Sequence, residues 1–156
     1  MLTKEEKINE WIETVSKVRP DLKGFAICPF AANSKRKIVA CSIDNIEPID
    51  GLDVIIFLVA DDYSLREIKD WVEHYNKEYP DWKFFEDCAN NPTFIGEVKT
   101  NNDHFNLILS QPKVKLRKFR EQLAKTDYYK QWGDNYLKEI LGDDIDVLVT
   151  TNKLSQ

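Results

Sequence analysis

The run Leu52-Asp53-Val54-Ile55-Ile56-Phe57-Leu58-Val59-Ala60 leaves the chain few options. It is almost continuous in β-branched and large apolar residues, the composition of a central strand, and the stretch before it, Asp44 to Gly51, holds Pro48 and Gly51 and reads as a loop. Just beyond it, Ser64 and Glu67 stand at capping-box spacing. Leu65, Ile68, Trp71, Val72, Tyr75 and Tyr79 then recur at helical spacing until Pro80 stops the helix. Trp82 to Phe85 supplies the next strand, so the helix crosses between two strands as a right-handed unit would.

The remaining elements follow by the same signals. Thr3 and Glu6 form a second capping box, ahead of Ile8, Trp11, Ile12, Val15 and Val18, an amphipathic helix that ends at Pro20. Trp11 sits in that stripe and reads as a core residue before it reads as a ligand platform. His74, beside the Trp71 and Tyr75 stripe, reads as a packing histidine. Lys37 to Ile43 is a strand carrying Cys41 as core filler, and Phe105 to Leu109 is another. Helix resumes at about Lys113 through Val114, Leu116, Phe119 and Leu123. A short helix follows, built on Tyr128, Tyr129, Trp132, Tyr136, Leu137, Ile140 and Leu141, with Gly142 as its C-cap. Asp146 to Thr150 adds an edge strand. The expectation is an α+β, ferredoxin-like sandwich: about four mostly antiparallel strands covered by helices, with residues 1–150 as one domain and 151–156 as a frayed tail. A thioredoxin-like fold is the competitor and fits less well. It needs a long helix directly after Cys28 and a resolving cysteine where Ala31 stands.

Charge and cysteine usage exclude several functions. A net charge of -5 and a pI near 5.1 argue against a general polyanion binder. The basic run Lys113, Lys115, Arg117, Lys118, Arg120 spreads around an apolar helical stripe and reads as a solvated face. No membrane span or secretory leader is visible, so the expected compartment is cytoplasmic. Cys28, Cys41 and Cys88 form neither a disulfide framework nor, with His74 and His104, a zinc site. No phosphate loop, serine elbow or metal-ligand cluster is present, and the sequence specifies no cofactor.

The candidate site lies elsewhere. Gly24-Phe25-Ala26-Ile27-Cys28-Pro29-Phe30-Ala31 is apolar and belongs to no clear element; a helical turn starting at Pro29 would make Cys28 its N-cap. That position and the nearby Lys35, Arg36 and Lys37 favour thiolate, whereas Phe25, Ile27 and Phe30 desolvate it and favour the thiol. The second unusual stretch is Glu86 to His104, long and polar, with only Phe94, Ile95 and Val98 to anchor it. A small-molecule or thiol site therefore draws on Cys28 with His104 as its base, and on Phe30, Asn91 and Asp103 as ligand contacts. Two other readings stand beside it. Cys28 is a buried structural thiol, or the protein is a non-enzymatic adaptor that binds a protein partner through its C-terminal aromatics.

Trp11 followed by Cys28-Pro29-Phe30-Ala31 resembles the opening of an uncharacterised bacterial domain family marked by a Cys-Pro-Phe-Ala motif after an N-terminal helix. Phe85 through Phe94-Ile95-Gly96 looks like that family's strand and following loop, which carries Phe-Ala-Gly. Leu107-Ile108-Leu109 to Val114 looks like its last strand entering a helix, and the likeness covers roughly residues 8–125. The chain departs from the family at Phe85-Glu86-Asp87, where the family has Phe-His-Pro, and near Ser110-Gln111, where it has Arg-Glu. The resemblance implies importance for Cys28 and brings no established activity with it.

Overall fold

The structure, a computed structural model, describes residues 1–17, 19, 34–95 and 98–148. Four strands form one open sheet: β1 (Arg36–Ala40), β2 (Val54–Val59), β3 (Trp82–Cys88) and β6 (Asn106–Pro112), in the order β1-β2-β6-β3. β1 runs parallel to β2, and β6 is antiparallel to both β2 and β3, so the sheet is mostly antiparallel. Two two-residue strands, β4 (Phe94–Ile95) and β5 (Val98–Lys99), pair separately as a small hairpin. The fold is α+β, and β2 is an interior strand, as its composition demands. The strands β2, β3 and β6 with the helix between the first two form a split β-α-β unit, an arrangement compatible with the expected ferredoxin-like sandwich. Its fourth strand, however, comes from the N-terminal side and is parallel to its neighbour.

Alternation along β2 builds two cores. Ile55, Phe57 and Val59 are buried against α2 (Leu65–Glu78), which presents Ile68, Val72 and Tyr75. Each of these β2 side chains contributes about 1.5–3 kcal/mol by leaving water. Val54, Ile56 and Leu58 face the other way, toward Ile8 and Ile12 of α1 (Lys4–Val15). Both capping boxes form: Thr3 Oγ1 accepts from Glu6 N at 3.1 Å, and Ser64 Oγ accepts from Glu67 N at 3.1 Å. Asn76 of α2 guards the β3 edge, donating to Phe84 O at 3.0 Å and accepting from Phe84 N at 2.8 Å as a neighbouring strand would. The Tyr75 hydroxyl donates to Ile43 O at 2.8 Å and accepts from Ile46 N at 3.2 Å, which pins the β1–β2 connection under α2. Ile43 thus enters the core from a loop, and β1 ends at Ala40.

The chain beyond β6 makes a satellite cluster. α3 (Lys113–Ala124) begins at Pro112, a one-turn 3₁₀ helix covers Tyr128–Gln131, and α4 (Asp134–Leu141) ends at Gly142 with φ +50°. Ala124, Tyr128, Tyr129, Leu137, Leu141 and Val147 are buried together. The edge strand expected over Asp146 to Thr150 does not form across 146–148, which are helical. Arg117 of α3 takes both Asp146 carboxylate oxygens, at 2.9 and 2.8 Å, and Val147 is buried in the cluster, so the segment docks on α3 and away from the sheet. The Glu86 to His104 stretch is also more ordered than its polarity suggests. β3 extends through Cys88 because Cys88 continues the buried alternation begun by Phe84.

Candidate functional site

The sheet register places three rows of side chains on the face that α1 covers. One row is Ile38, Ile56, Leu109 and Phe85; a second ends in Leu107 and Asp87; a third holds Arg36, Val54 and Gln111. α1 covers this face incompletely. Trp11, Ile12 and Val15 form one wall and Phe119 of α3 another, and between them lies a cleft of about 230 Å³ floored by Ile56, Leu109 and Phe85. That is roughly the volume of eight waters. Its lining is mostly apolar. The polar exceptions are Ser34, Arg36, Thr100, Asp87 and, four residues along the sheet from Asp87 and so about 13 Å away, Gln111.

Asp87 is held by Asn102. The Asn102 backbone N donates to Asp87 Oδ1 at 2.8 Å and its Nδ2 to the same oxygen at 2.6 Å. Burial pushes the Asp87 carboxyl up, aided by the Glu86 charge; the Asn102 hydrogen bonds and Lys99 oppose the shift. Asn102 itself is 2% exposed and fully used: Nδ2 also donates to Asp87 O and Phe105 O, and Oδ1 accepts from the backbone of His104 and Phe105. Its neighbour Asn101 donates to Cys88 O at 2.9 Å and accepts from Thr93 N at 3.1 Å. Two buried asparagines thus bind the end of β3 to the strand entry of β6. Trp11 closes the arrangement from the other side, its indole N–H donating to Thr100 O at 3.1 Å.

Asp103 and His104 fall together in a second cleft, of about 200 Å³, on the opposite flank of Trp11 and Val15. Asp103 pairs there with Lys99, which holds its carboxyl below the usual range. His104 is exposed, its backbone N–H bound to Asn102 Oδ1 at 3.0 Å and its ring 5.8 Å from that of Phe105. Asn91 lines neither cleft; its backbone N–H donates to Cys88 O at 3.1 Å in a turn. Cys28 and Phe30 lie outside the described residues, as do the turn at Pro29 and Gly96. Asp87, Asn102 and Gln111 are site residues that sequence reasoning did not select.

The other marked residues serve the fold. His74 Nε2 meets Glu78 Oε2 at 2.9 Å and its ring packs on Trp71 and Tyr75. Within the basic run, Lys115 pairs with Asp53, Arg117 with Glu121, Asp144 and Asp146, and Arg120 with Asp144. Cys88 is buried and its thiol is pushed up to about 11, chiefly by burial. Among the described residues no group of three or more His, Cys, Asp or Glu is placed to hold a metal ion, and no helix is long and apolar enough to cross a membrane. Comparison of the chain with family models, with curated proteins and with solved structures finds no match.

Proposed function

We propose that the chain is a small-molecule-binding domain whose ligand occupies the cleft between α1 and the sheet. One observation carries this reading: an apolar cleft floored by Phe85 and walled by Trp11 and Phe119 has a carboxylate at one end and the Gln111 amide and Arg36 at the other. Ligand sites combine an apolar lining with a few placed polar groups in this way. The protein's relation to the Cys-Pro-Phe-Ala family and the reactivity of Cys28 belong to the same proposal and rest on the sequence. A reducing compartment suits it, since Cys41 and Cys88 are free thiols. Tyr128 and Tyr129, on which an adaptor reading leans, are buried in the protein's own C-terminal cluster.

The test is a titration with 2-phenylethanol followed by ¹H–¹⁵N NMR. Binding in the cleft shifts the Trp11 indole N–H and the amides of Phe85 and Leu109 together, and Phe85→Arg, which fills the mouth of the cleft, abolishes those shifts. Shifts confined to other residues, or unchanged by Phe85→Arg, would overturn the assignment.

A further inference from the structure

The two oxygens of Asp87 are in different situations. Oδ1 takes both donors of Asn102, which fixes the plane of the carboxylate, whereas Oδ2 has no hydrogen-bond partner among the described residues although the side chain lines the cleft. Among the described residues only Ser110 Oγ is a buried side-chain polar atom without a partner, so Asp87 Oδ2 stays accessible and a donor entering the cleft can meet it. From this pairing of an open carboxylate oxygen with aromatic walls, we infer that the ligand is an amine: a protonated nitrogen meeting Asp87 Oδ2 and an aromatic or branched hydrocarbon body lying over Phe85 and Leu109 toward Gln111. The inference rests on the cleft being the binding site.

The electrostatic setting selects among ligand classes. Asp87 is the carboxylate lining this end of the cleft, and the cleft's Arg36 stands in the Val54 and Gln111 row at the other end. Lys99, which acts on the Asp87 carboxyl, pairs with Asp103, and Arg36 bonds Asn9 Oδ1 on α1. An anionic ligand would meet repulsion here, and a neutral hydroxyl would satisfy Oδ2 without offsetting its charge. A cation does both, in a site whose desolvation strengthens the contact. The apolar floor suits a hydrocarbon body.

The experiment compares three probes of matched shape: 2-phenylethylamine, 2-phenylethanol and 3-phenylpropanoate. Affinities are measured by NMR titration on the wild-type protein and on Asp87→Asn. The variant keeps an Oδ1 for both Asn102 donors, removes the charge and turns the cleft-facing acceptor into an amide donor. The amine is expected to bind about 10-fold tighter than the alcohol, the effect of a charge-assisted hydrogen bond, with the anion weakest. In Asp87→Asn that preference collapses, because the amine loses more affinity than the alcohol does. In the wild-type protein, nuclear Overhauser contacts between the Asp87 β-protons and the methylene beside the nitrogen report the same placement without any substitution. Equal binding of amine and alcohol, a preference that survives in Asp87→Asn, or a preference for the anion would overturn the amine while leaving the cleft as the site. Failure of all three probes to shift Trp11 and Phe85 would overturn both.

Discussion

Replacing Asn102 with Ala tests whether the order of the Glu86 to His104 stretch comes from two buried asparagines. The substitution deletes the side-chain bonds of Asn102: its two Nδ2 protons, shared among Asp87 Oδ1, Asp87 O and Phe105 O, and two acceptances at Oδ1, from His104 N and Phe105 N. A neutral hydrogen bond contributes about 0.5–1.5 kcal/mol net and one to a charged group about 1.5–3, while a buried partner left unsatisfied adds its own desolvation. Partners near the surface recover part of this from water, so the expected loss is about 4 kcal/mol, a large share of the roughly 5–15 kcal/mol that holds a domain folded. For a chain of 156 residues, about 2–4 °C per kcal/mol then gives a fall in Tm of about 8–16 °C. Thermal and urea unfolding followed by circular dichroism measure it, with Asn91→Ala as the control. The Asn91 side chain is half-exposed and its backbone makes the turn contact, so the control stays within about 0.5 kcal/mol of wild type. Asn102→Asp adds a sign test, because it sets a second carboxylate against Asp87. One of the pair is then raised in the folded state, so the deficit grows as pH rises through the carboxylate range and shrinks as it falls. A Tm for Asn102→Ala within about 2 °C of Asn91→Ala would refute the reasoning, since no such magnitude could then reside in this network.

Two further outcomes follow from the same structure. In brief alkylation of the native protein near pH 8 followed by mass mapping, Cys88 is protected, because burial holds its thiol at about 11, and Cys41, also raised by burial, reacts slowly; Cys28, if it caps a helical turn, reacts faster than Cys41. Equal protection of Cys28 and Cys41 would end the case for a reactive thiol. Asp53→Asn removes the charge and one of the two oxygens that accept from Lys115 Nζ and Lys35 N, both at 2.8 Å, and lowers stability by about 1 kcal/mol at pH 7. Those contacts hold the Asp53 carboxyl below its ordinary value, so its contribution is present above the ordinary carboxylate pKa and is lost as pH falls through the lowered one. A difference in Tm between wild type and variant that is constant from pH 7 to below the carboxylate range would count against it.

Local signals carried most of the architecture. The Thr3/Glu6 and Ser64/Glu67 boxes, the stripes behind them and the β-branched run into Val59 specify elements through neighbours in sequence, and those elements form where the spacing puts them. Asn101 and Asn102 were opaque for the opposite reason: their hydrogen-bond partners, Cys88 O, Asp87 and Phe105, are assembled only when β3 and β6 pair. An asparagine in a polar stretch looks the same whether it is solvated or buried. Asp87 was within reach, because the alternation that buries Phe84 and Cys88 on one face puts Asp87, two residues beyond Phe85, on the face of Phe85. Asp146 misled because Asp146-Val147-Leu148 has strand composition, while the Arg117 that captures it lies on another helix.

Vectorial synthesis meets this sheet in an awkward order. β6, the strand made last, is inserted between β2 and β3, so neither of those earlier strands has its antiparallel partner until residues 106–112 leave the ribosome. At about 5–20 residues per second, the roughly 50 residues from Val59 to Pro112 keep the apolar β2 without that neighbour for some 3–10 s. During this interval Ile55, Phe57 and Val59 are covered by α2, β1 and the β1–β2 connection, and Ile56 by α1 and Ile38, while the β6 side of the strand stays open. The nascent chain is therefore most open to strand pairing with another copy of itself before β6 emerges, and a holdase that recognises extended apolar segments would act on it in that window.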